Sequence, residues 1–225
     1  MVQRCCNRPG TLEVQNDSNV ILIILNSNIK YLYENKIRKI SVMKATIIII
    51  DVLQDFFREG RLKEHREKLI KSINELVNIG RERGLPIIWV RQEFKDDLSD
   101  AFLALRKSGN KITIENTEGC KFLPELDQQE SDYEIVKKRY SAFFKTEMDD
   151  LLDRLVVDTL ILAGVNTHAC IRMAAVDAYQ RDYEVILAID CIDSYDEEFH
   201  KVSLSYLERT IAVPLSNEEV KSKLI

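Results

Sequence analysis

Three residues of this 225-residue chain could together attack a carbonyl carbon: a thiol, an acid and an amine. The thiol is Cys170, at the end of Gly164-Val-Asn-Thr-His-Ala-Cys170 and ahead of Ile171-Arg-Met-Ala-Ala-Val-Asp-Ala178. A cysteine in the first turn of a helix feels the positive end of the helix dipole, which favours the nucleophilic thiolate. An alanine-rich helix is equally a place to bury a cysteine for packing alone. The acid is Asp51, which closes the all-isoleucine run Ile47 to Ile50. The amine is Lys137, which follows Tyr133 to Val136 and opens the run Lys137-Lys138-Arg139. Taken singly, an aspartate after a strand reads as a turn or cap residue, and a cationic run as a solvated face.

The elements that carry these residues decide whether they meet. Ile47 to Ile50 is a β-branched run of the kind buried on both faces of a parallel sheet. Leu62 to Arg83 has helical periodicity and stops at Gly84, with Pro86 beyond. A second strand follows over Pro86 to Val90, a short helix over Ser99 to Lys107, and an irregular stretch over 110 to 130. Tyr133 to Val136 is the third strand. Thr146-Glu-Met-Asp149 looks like a capping-box start for a helix through Leu155. The fourth strand is Leu160 to Ala163, turned at Gly164, and Thr167 is placed to cap the helix after it. A fifth strand over Val185 to Ile189, a last helix from Asp196 to Arg209 and a sixth strand over Thr210 to Leu215 complete the domain. This alternation predicts an α/β fold with a doubly wound, mostly parallel, six-stranded sheet and helices on both faces. Ligands of such sheets bind beyond the carboxyl ends of the strands, where Asp51, Lys137 and Cys170 all emerge.

Composition narrows the classes. A formal net charge of −5 leaves no basic footprint for nucleic acid and no polybasic membrane patch. The five cysteines are odd in number and scattered, without a C-x-x-C pair, which points to an intracellular, reducing compartment such as the cytoplasm. The three histidines (His65, His168, His200) show no metal-ligand spacing, and no Gly-rich phosphate loop follows the first strand. Neither a metal nor an organic cofactor is expected. Residues 1 to 42 differ in texture and read as an appended, partly extended segment. Their one apolar run, Val20 to Leu25, is far short of the roughly 20 residues that span a bilayer. The regular domain is expected over residues 43 to 225.

Three stretches add a resemblance. Asp51-Val-Leu-Gln54-Asp55-Phe56-Phe57, Lys137-Lys-Arg139-Tyr140-Ser141-Ala142-Phe143-Phe144 and Gly164-Val-Asn-Thr-His-Ala-Cys170 resemble, in order and spacing, the signatures of the isochorismatase-like cysteine hydrolases. That family includes N-carbamoylsarcosine amidohydrolase, nicotinamidase and isochorismatase. The resemblance covers roughly residues 44 to 215. It implies a triad of Asp51, Lys137 and Cys170, a cis peptide between Val165 and Asn166, and an oxyanion hole made by the backbone N–H groups of Asn166 and Cys170. Lys138 is the neighbouring alternative to Lys137, which the Lys-x-Arg-Tyr-Ser-Ala-Phe spacing favours. Gln54, Phe56, Tyr140 and Phe143 become candidate substrate contacts, the aromatic ones being equally readable as core.

Departures from the pattern sharpen the expectation. The loop after the second strand, Arg91-Gln-Glu-Phe-Lys-Asp-Asp97, lacks the histidines that nicotinamidases of this family carry. A cysteine at position 170 argues for amide-type chemistry, because isochorismatases proper do without that nucleophile. His168 reads as a surface or subunit contact. The reading is thus a metal-independent cysteine hydrolase cleaving an amide or carbamoyl bond of a small molecule, assembled as a homo-oligomer. The alternatives are a vinyl-ether hydrolase and a non-enzymatic binding or redox-sensing module.

Overall fold

The computed structural model describes residues 43–224, and the appended segment expected over 1 to 42 lies outside them. Six parallel strands form one sheet in the order β3-β2-β1-β4-β5-β6. They are β1 (Ala45–Ile50), β2 (Ile87–Gln92), β3 (Tyr133–Lys137), β4 (Thr159–Val165), β5 (Glu184–Asp193) and β6 (Val213–Leu215). The order reverses between β1 and β4, the switch point beyond whose carboxyl ends open α/β sheets bind their ligands. Every residue of β1 is buried, since alternate isoleucines feed opposite faces of the sheet. Ile47 and Ile49 join one core with Trp89, Ile161 and Ala163; Ile48 and Ile50 join the other with Val90, Leu160 and Leu162. Each such isoleucine contributes about 2 kcal/mol of apolar burial.

Helices cover both faces. The first face receives α1 (Gly60–Glu82), through Leu69, Ile73, Leu76 and Val77. The second receives α3 (Met148–Leu155), α4 (Arg172–Tyr179) and α5 (Glu197–Glu208). Ala174, Ala175 and Ala178 let α4 lie close to the sheet, as small residues should. A short α2 (Leu103–Ser108) closes a satellite cluster of Phe94, Leu98, Ala101 and Ile114. Last comes α6 (Asn217–Lys223), which returns Val220 to the first core.

Several local expectations are corrected. The second helix of the chain starts at Leu103 rather than Ser99. Asp97 accepts from the Ser99 N–H at 2.9 Å and Asp100 from the Lys95 N–H at 2.9 Å, so those side chains hold a turn where a helix could have begun. The start at Thr146 is displaced by one residue: its hydroxyl donates back to the Ala142 carbonyl at 2.5 Å and accepts from the Met148 N–H at 3.3 Å, and α3 begins at Met148, preceded by Glu147, whose side chain makes no cap. Strand β5 runs on to Asp193, past the expected Ile189, by bulging: Leu162 pairs with Leu187, but Gly164 pairs with Ile192. The helix from Asp196 is not the last one, because Ser216 and Glu219 form a complete capping box that starts α6.

Gly164 belongs to β4, beyond the expected end of that strand at Ala163. Its φ is +114°, and a Cβ there would lie 2.0 Å from the Ile50 carbonyl oxygen. The absence of a side chain is what lets β4 run this close to β1 at the switch point.

Candidate active site

Asp51 leaves β1 with a left-handed φ of 58° and is fully buried. Its Oδ1 accepts from the backbone N–H of Gln92 at 2.9 Å. Gln92 is the last residue of β2, the strand lying between β1 and β3, and it pairs in register with Lys137. That pairing aims the Lys137 side chain across β2. Its Nζ lies 2.7 Å from Asp51 Oδ2, 3.1 Å from the Arg139 carbonyl it donates to, and 3.4 Å from Cys170 Sγ. Three strands and one turn therefore bring acid, amine and thiol together. Lys138 points elsewhere, 3.1 Å from Asp100 Oδ2.

Cys170 is 4% exposed. The turn that carries it, Thr167–Ile171, has π geometry, with the Asn166 carbonyl accepting from Ala169 at 3.0 Å and Ile171 at 3.3 Å. Single π turns interrupt helices frequently at functional sites. Thr167 does not cap a helix: its hydroxyl donates to the Asp193 carbonyl at 3.1 Å and meets His200 Nδ1 at 2.9 Å. The peptide bond between Val165 and Asn166 is cis. The Asn166 side-chain oxygen accepts from the Tyr195 N–H at 3.0 Å, tying this turn to the end of β5.

The electrostatics differ from the sequence-based expectation at the sulfur. Burial, then the Asp51 carboxylate, push the Cys170 thiol well above its ordinary range, and Lys137 offsets them only in part. Burial works against the Lys137 ammonium too, but the Asp51 carboxylate, with the Cys170 sulfur beside it, more than compensates, so the amine is held protonated. The surroundings thus favour the ammonium of Lys137 and the neutral thiol of Cys170. Asp51 Oδ2 takes the Lys137 ion pair but no further hydrogen bond among the described residues, so it retains a lone pair for a proton.

The candidate substrate contacts separate. Tyr140 stacks at 4.6 Å on Phe102 and lines a hollow of about 280 Å³ with Arg139, Phe144, Met173 and Asp177. The hollow adjoins the buried group in sequence, with Arg139 two residues beyond Lys137 and Met173 three beyond Cys170. Phe143 is a core residue and not a wall of this hollow. It is 3% exposed, packed with Leu151 and Ile171 under the Arg181 guanidinium. Gln54 and Phe56 lie on a 3-10 turn, Gln54–Phe57, where Phe56 packs toward the first core, across the sheet from Phe143. Neither the Tyr140 hollow nor a larger one of about 540 Å³, among Arg91, Asn116, Lys121 and Gln128, is lined by Asp51, Lys137 or Cys170 themselves; in the larger one Arg91 is already paired with Glu93 and Glu134.

The sequence reading missed Gln92, Thr113, Phe102 and Met173. Gln92 Nε2 donates to Thr113 Oγ1 at 3.3 Å, and the Thr113 N–H donates to Asp55 Oδ2 at 2.6 Å, so the Asp51 backing continues into the motif that follows it. The one available signal was strand β2 itself, whose polar final residues Arg91 and Gln92 pair with Val136 and Lys137. Among the described residues, no three or more His, Cys, Asp or Glu side chains converge as a metal site would require.

Comparison with known proteins agrees with this fold. The isochorismatase domain family matches residues 45–219. A relative named as a probable inactive nicotinamidase, from Arabidopsis thaliana, is 32% identical over 168 residues, covering 71% of this chain and 86% of that protein. An isochorismatase family protein from Desulfovibrio vulgaris superposes with a TM-score of 0.75 at 27% identity, over 81% of this chain and 98% of that one. N-carbamoylsarcosine amidase from Thermoplasma acidophilum superposes with a TM-score of 0.67 at 25% identity, over 79% and 98%.

Proposed function

The chain belongs to the isochorismatase family, and on that premise we propose that it is a cysteine hydrolase cleaving the carbonyl–nitrogen bond of a small amide or carbamoyl compound. The observation that carries this reading is the position of Lys137 Nζ, 2.7 Å from Asp51 and 3.4 Å from Cys170, with all three residues buried. A structural ion pair needs no thiol beside it. A thiol set beside both a proton acceptor and a cation has the partners that activate a nucleophile.

In this reading Asp51 takes the Cys170 proton as sulfur bonds to the substrate carbonyl carbon. Carboxylate, ammonium and thiol become carboxylic acid, ammonium and thiolate, so the buried charge stays at zero and the raised thiol pKa is no obstacle. The carbonyl π electrons move to oxygen, which the N–H groups of Asn166 and Cys170 hold, a contribution of about 3 kcal/mol per donor. Collapse breaks the carbon–nitrogen bond, and Asp51 gives its proton to the departing nitrogen. Water then adds to the thioester with Asp51 again taking a proton, and that proton returns to sulfur as the acid leaves. Tyr140, Phe102 and Met173, which line the 280 Å³ hollow, suit a small and partly apolar substrate.

The test is a panel of amides, ureido acids and nicotinamide read by ammonia release. The expected result is turnover of at least one class, with a slow substrate leaving an acyl mass on the peptide containing Cys170. Turnover undiminished in Cys170→Ala would overturn the proposal.

A further inference from the structure

We infer, resting on Cys170 as the nucleophile proposed above, that His200 is a positioning residue for it: the ring donates from Nδ1 to the Thr167 hydroxyl and so fixes the turn that carries the thiol. Three consecutive residues at the start of that turn are tied to the last residue of β5 and the two beyond it. Asn166 Oδ1 accepts from the Tyr195 N–H at 3.0 Å, and the Thr167 hydroxyl donates to the Asp193 main-chain carbonyl at 3.1 Å. The His168 N–H donates to Ser194 Oγ at 3.4 Å. His200 adds a restraint from a different element, α5, with Nδ1 2.9 Å from Thr167 Oγ1. Thr167 and Ser194 are fully buried, so their hydroxyls depend on these partners.

Proton counting assigns the tautomers. A hydroxyl has one proton to give. That of Thr167 goes to the Asp193 carbonyl, a main-chain acceptor with nothing to donate in return. The contact with His200 is then a hydrogen bond only if Nδ1 carries the ring proton. Burial above all keeps His200 below the ordinary imidazole range, so at about pH 7.5 the ring is neutral and has a single N–H to place. His168 is the reverse case. Ser194 Oγ lies 3.0 Å from His168 Nδ1 and already accepts from the His168 main chain, and its own proton has no other acceptor among the described residues. His168 Nδ1 therefore accepts, and its ring proton sits on Nε2. Two imidazoles thus hold one turn from opposite tautomers.

The seating of this turn is what the chemistry uses. The Asn166 carbonyl accepts from the N–H groups of Ala169 and Ile171, and not from that of Cys170 between them. In the proposed mechanism the Cys170 N–H holds the oxyanion, while Sγ must stay within reach of Lys137 Nζ, now 3.4 Å away. Both the N–H and the thiol ride on a turn whose first residue is Thr167. Removal of the His200 donor leaves the Thr167 hydroxyl with a single partner and frees that residue to shift. A displacement of about 1 Å at reacting atoms costs on the order of 100-fold in rate. His200 bonds to Thr167, three residues from Cys170, and acts through it.

Acylation of the full chain by p-nitrophenyl acetate tests this without the natural substrate, read as nitrophenolate release and as acetyl mass on the peptide containing Cys170. An asparagine amide reaches the place of Nδ1, and a glutamine amide that of Nε2. His200→Gln should lower the maximal acylation rate about tenfold or more, with the half-saturating ester concentration changed less than about twofold, and His200→Asn should recover most of the rate. Thr167→Val should match His200→Gln, and the two combined should cost no more than either alone, since they remove one bond. The imidazole ¹⁵N spectrum of the wild-type chain adds a readout without turnover: at about pH 7.5 His200 should be protonated at Nδ1 and His168 at Nε2. A His200 ring protonated at Nε2, equal acylation of wild type and His200→Gln, or His200→Asn no faster than His200→Gln would each overturn the positioning role. A wild type that gains no acetyl on Cys170, with both tautomers as expected, would instead remove the nucleophile, and with it the hydrolase reading that His200 serves.

Discussion

Asp51 and Asp193 both close parallel strands of one sheet, β1 and β5, and both hold a cation at hydrogen-bond distance. Asp51 and Lys137 are, at the side chain, 1% and 0% exposed. Asp193 is nearly as covered, at 9%, but its partners reach water: Arg61, 2.8 Å away, is 23% exposed, and His65, 2.7 Å away, is 42% exposed. The Asp193 carboxylate also accepts from the Ser194 N–H at 2.8 Å. The same ion-pair chemistry thus has two different freedoms. In the outer cluster solvent screens the charges. The inner group cannot change its net charge without a cost of several kcal/mol, so its proton can only be redistributed inside it. In the proposed mechanism, burial is what turns an ion pair into a proton relay.

The comparison can be broken most sharply at sulfur. Cys170→Ala should lower turnover on the order of 10⁴-fold or more, as loss of a nucleophile does. It should leave the unfolding free energy within about 1 kcal/mol, because it removes one small buried atom. Next in size is Lys137→Met, which strands a buried carboxylate. Its expected cost is about 3–5 kcal/mol in denaturant unfolding, and Asp51→Asn added to it should recover most of that stability without activity. Asp193→Asn should cost less than about 1 kcal/mol and spare turnover. If Lys137→Met proved no more costly than Asp193→Asn, the distinction between the two regions would fail.

The smallest effect concerns pH. Burial holds His200 and His168 below the usual imidazole range; Arg61 adds to this at His200, and His200 adds to it at His168, against the opposing pull of Asp193 and Asp196. A lowered histidine pKa means that the folded chain binds fewer protons than the unfolded one below about pH 6.5. Stability should therefore fall as pH drops from about 6.5 through the lower folded values, and be flat in this contribution above about pH 7. His200→Gln should flatten that slope, measured as thermal midpoint against pH. An unchanged slope would place the sensitivity elsewhere.

Much of this architecture was legible because it follows from local pattern. Ile47 to Ile50 can be buried on both faces only inside a parallel sheet, and a polar residue closing such a strand marks its carboxyl end. What escaped was set by distant partners. The end of β2 could not be found from apolar content, since Arg91 and Gln92 stay in the ladder only because β3 lies alongside. The bulge that carries β5 through Ile189, Asp190 and Cys191 depends on β4 and leaves no mark in composition. The raised Cys170 thiol escaped for the same reason: the helix terminus is local, whereas the burial and the carboxylate that oppose it come from other strands. Tyr140 and Phe143 are three residues apart with similar rings, and only the tertiary fold sends one to the hollow and the other to the core. The capping box at Ser216 was readable and was passed over, in a helix of only seven residues.

The bare backbone at Gly164 has an evolutionary consequence. The distance from the acid to the thiol is set where β1 and β4 touch, by main chain against main chain. Side chains beyond that contact are reagents on a fixed mount. Exchanging a reagent alters what the mount does and leaves the mount standing, whereas any side chain at 164 would drive the two strands apart. Descendants of this fold can therefore lose, keep or trade their chemistry at position 170, or at 51 and 137 together, at little cost to shape, while position 164 stays closed to experiment.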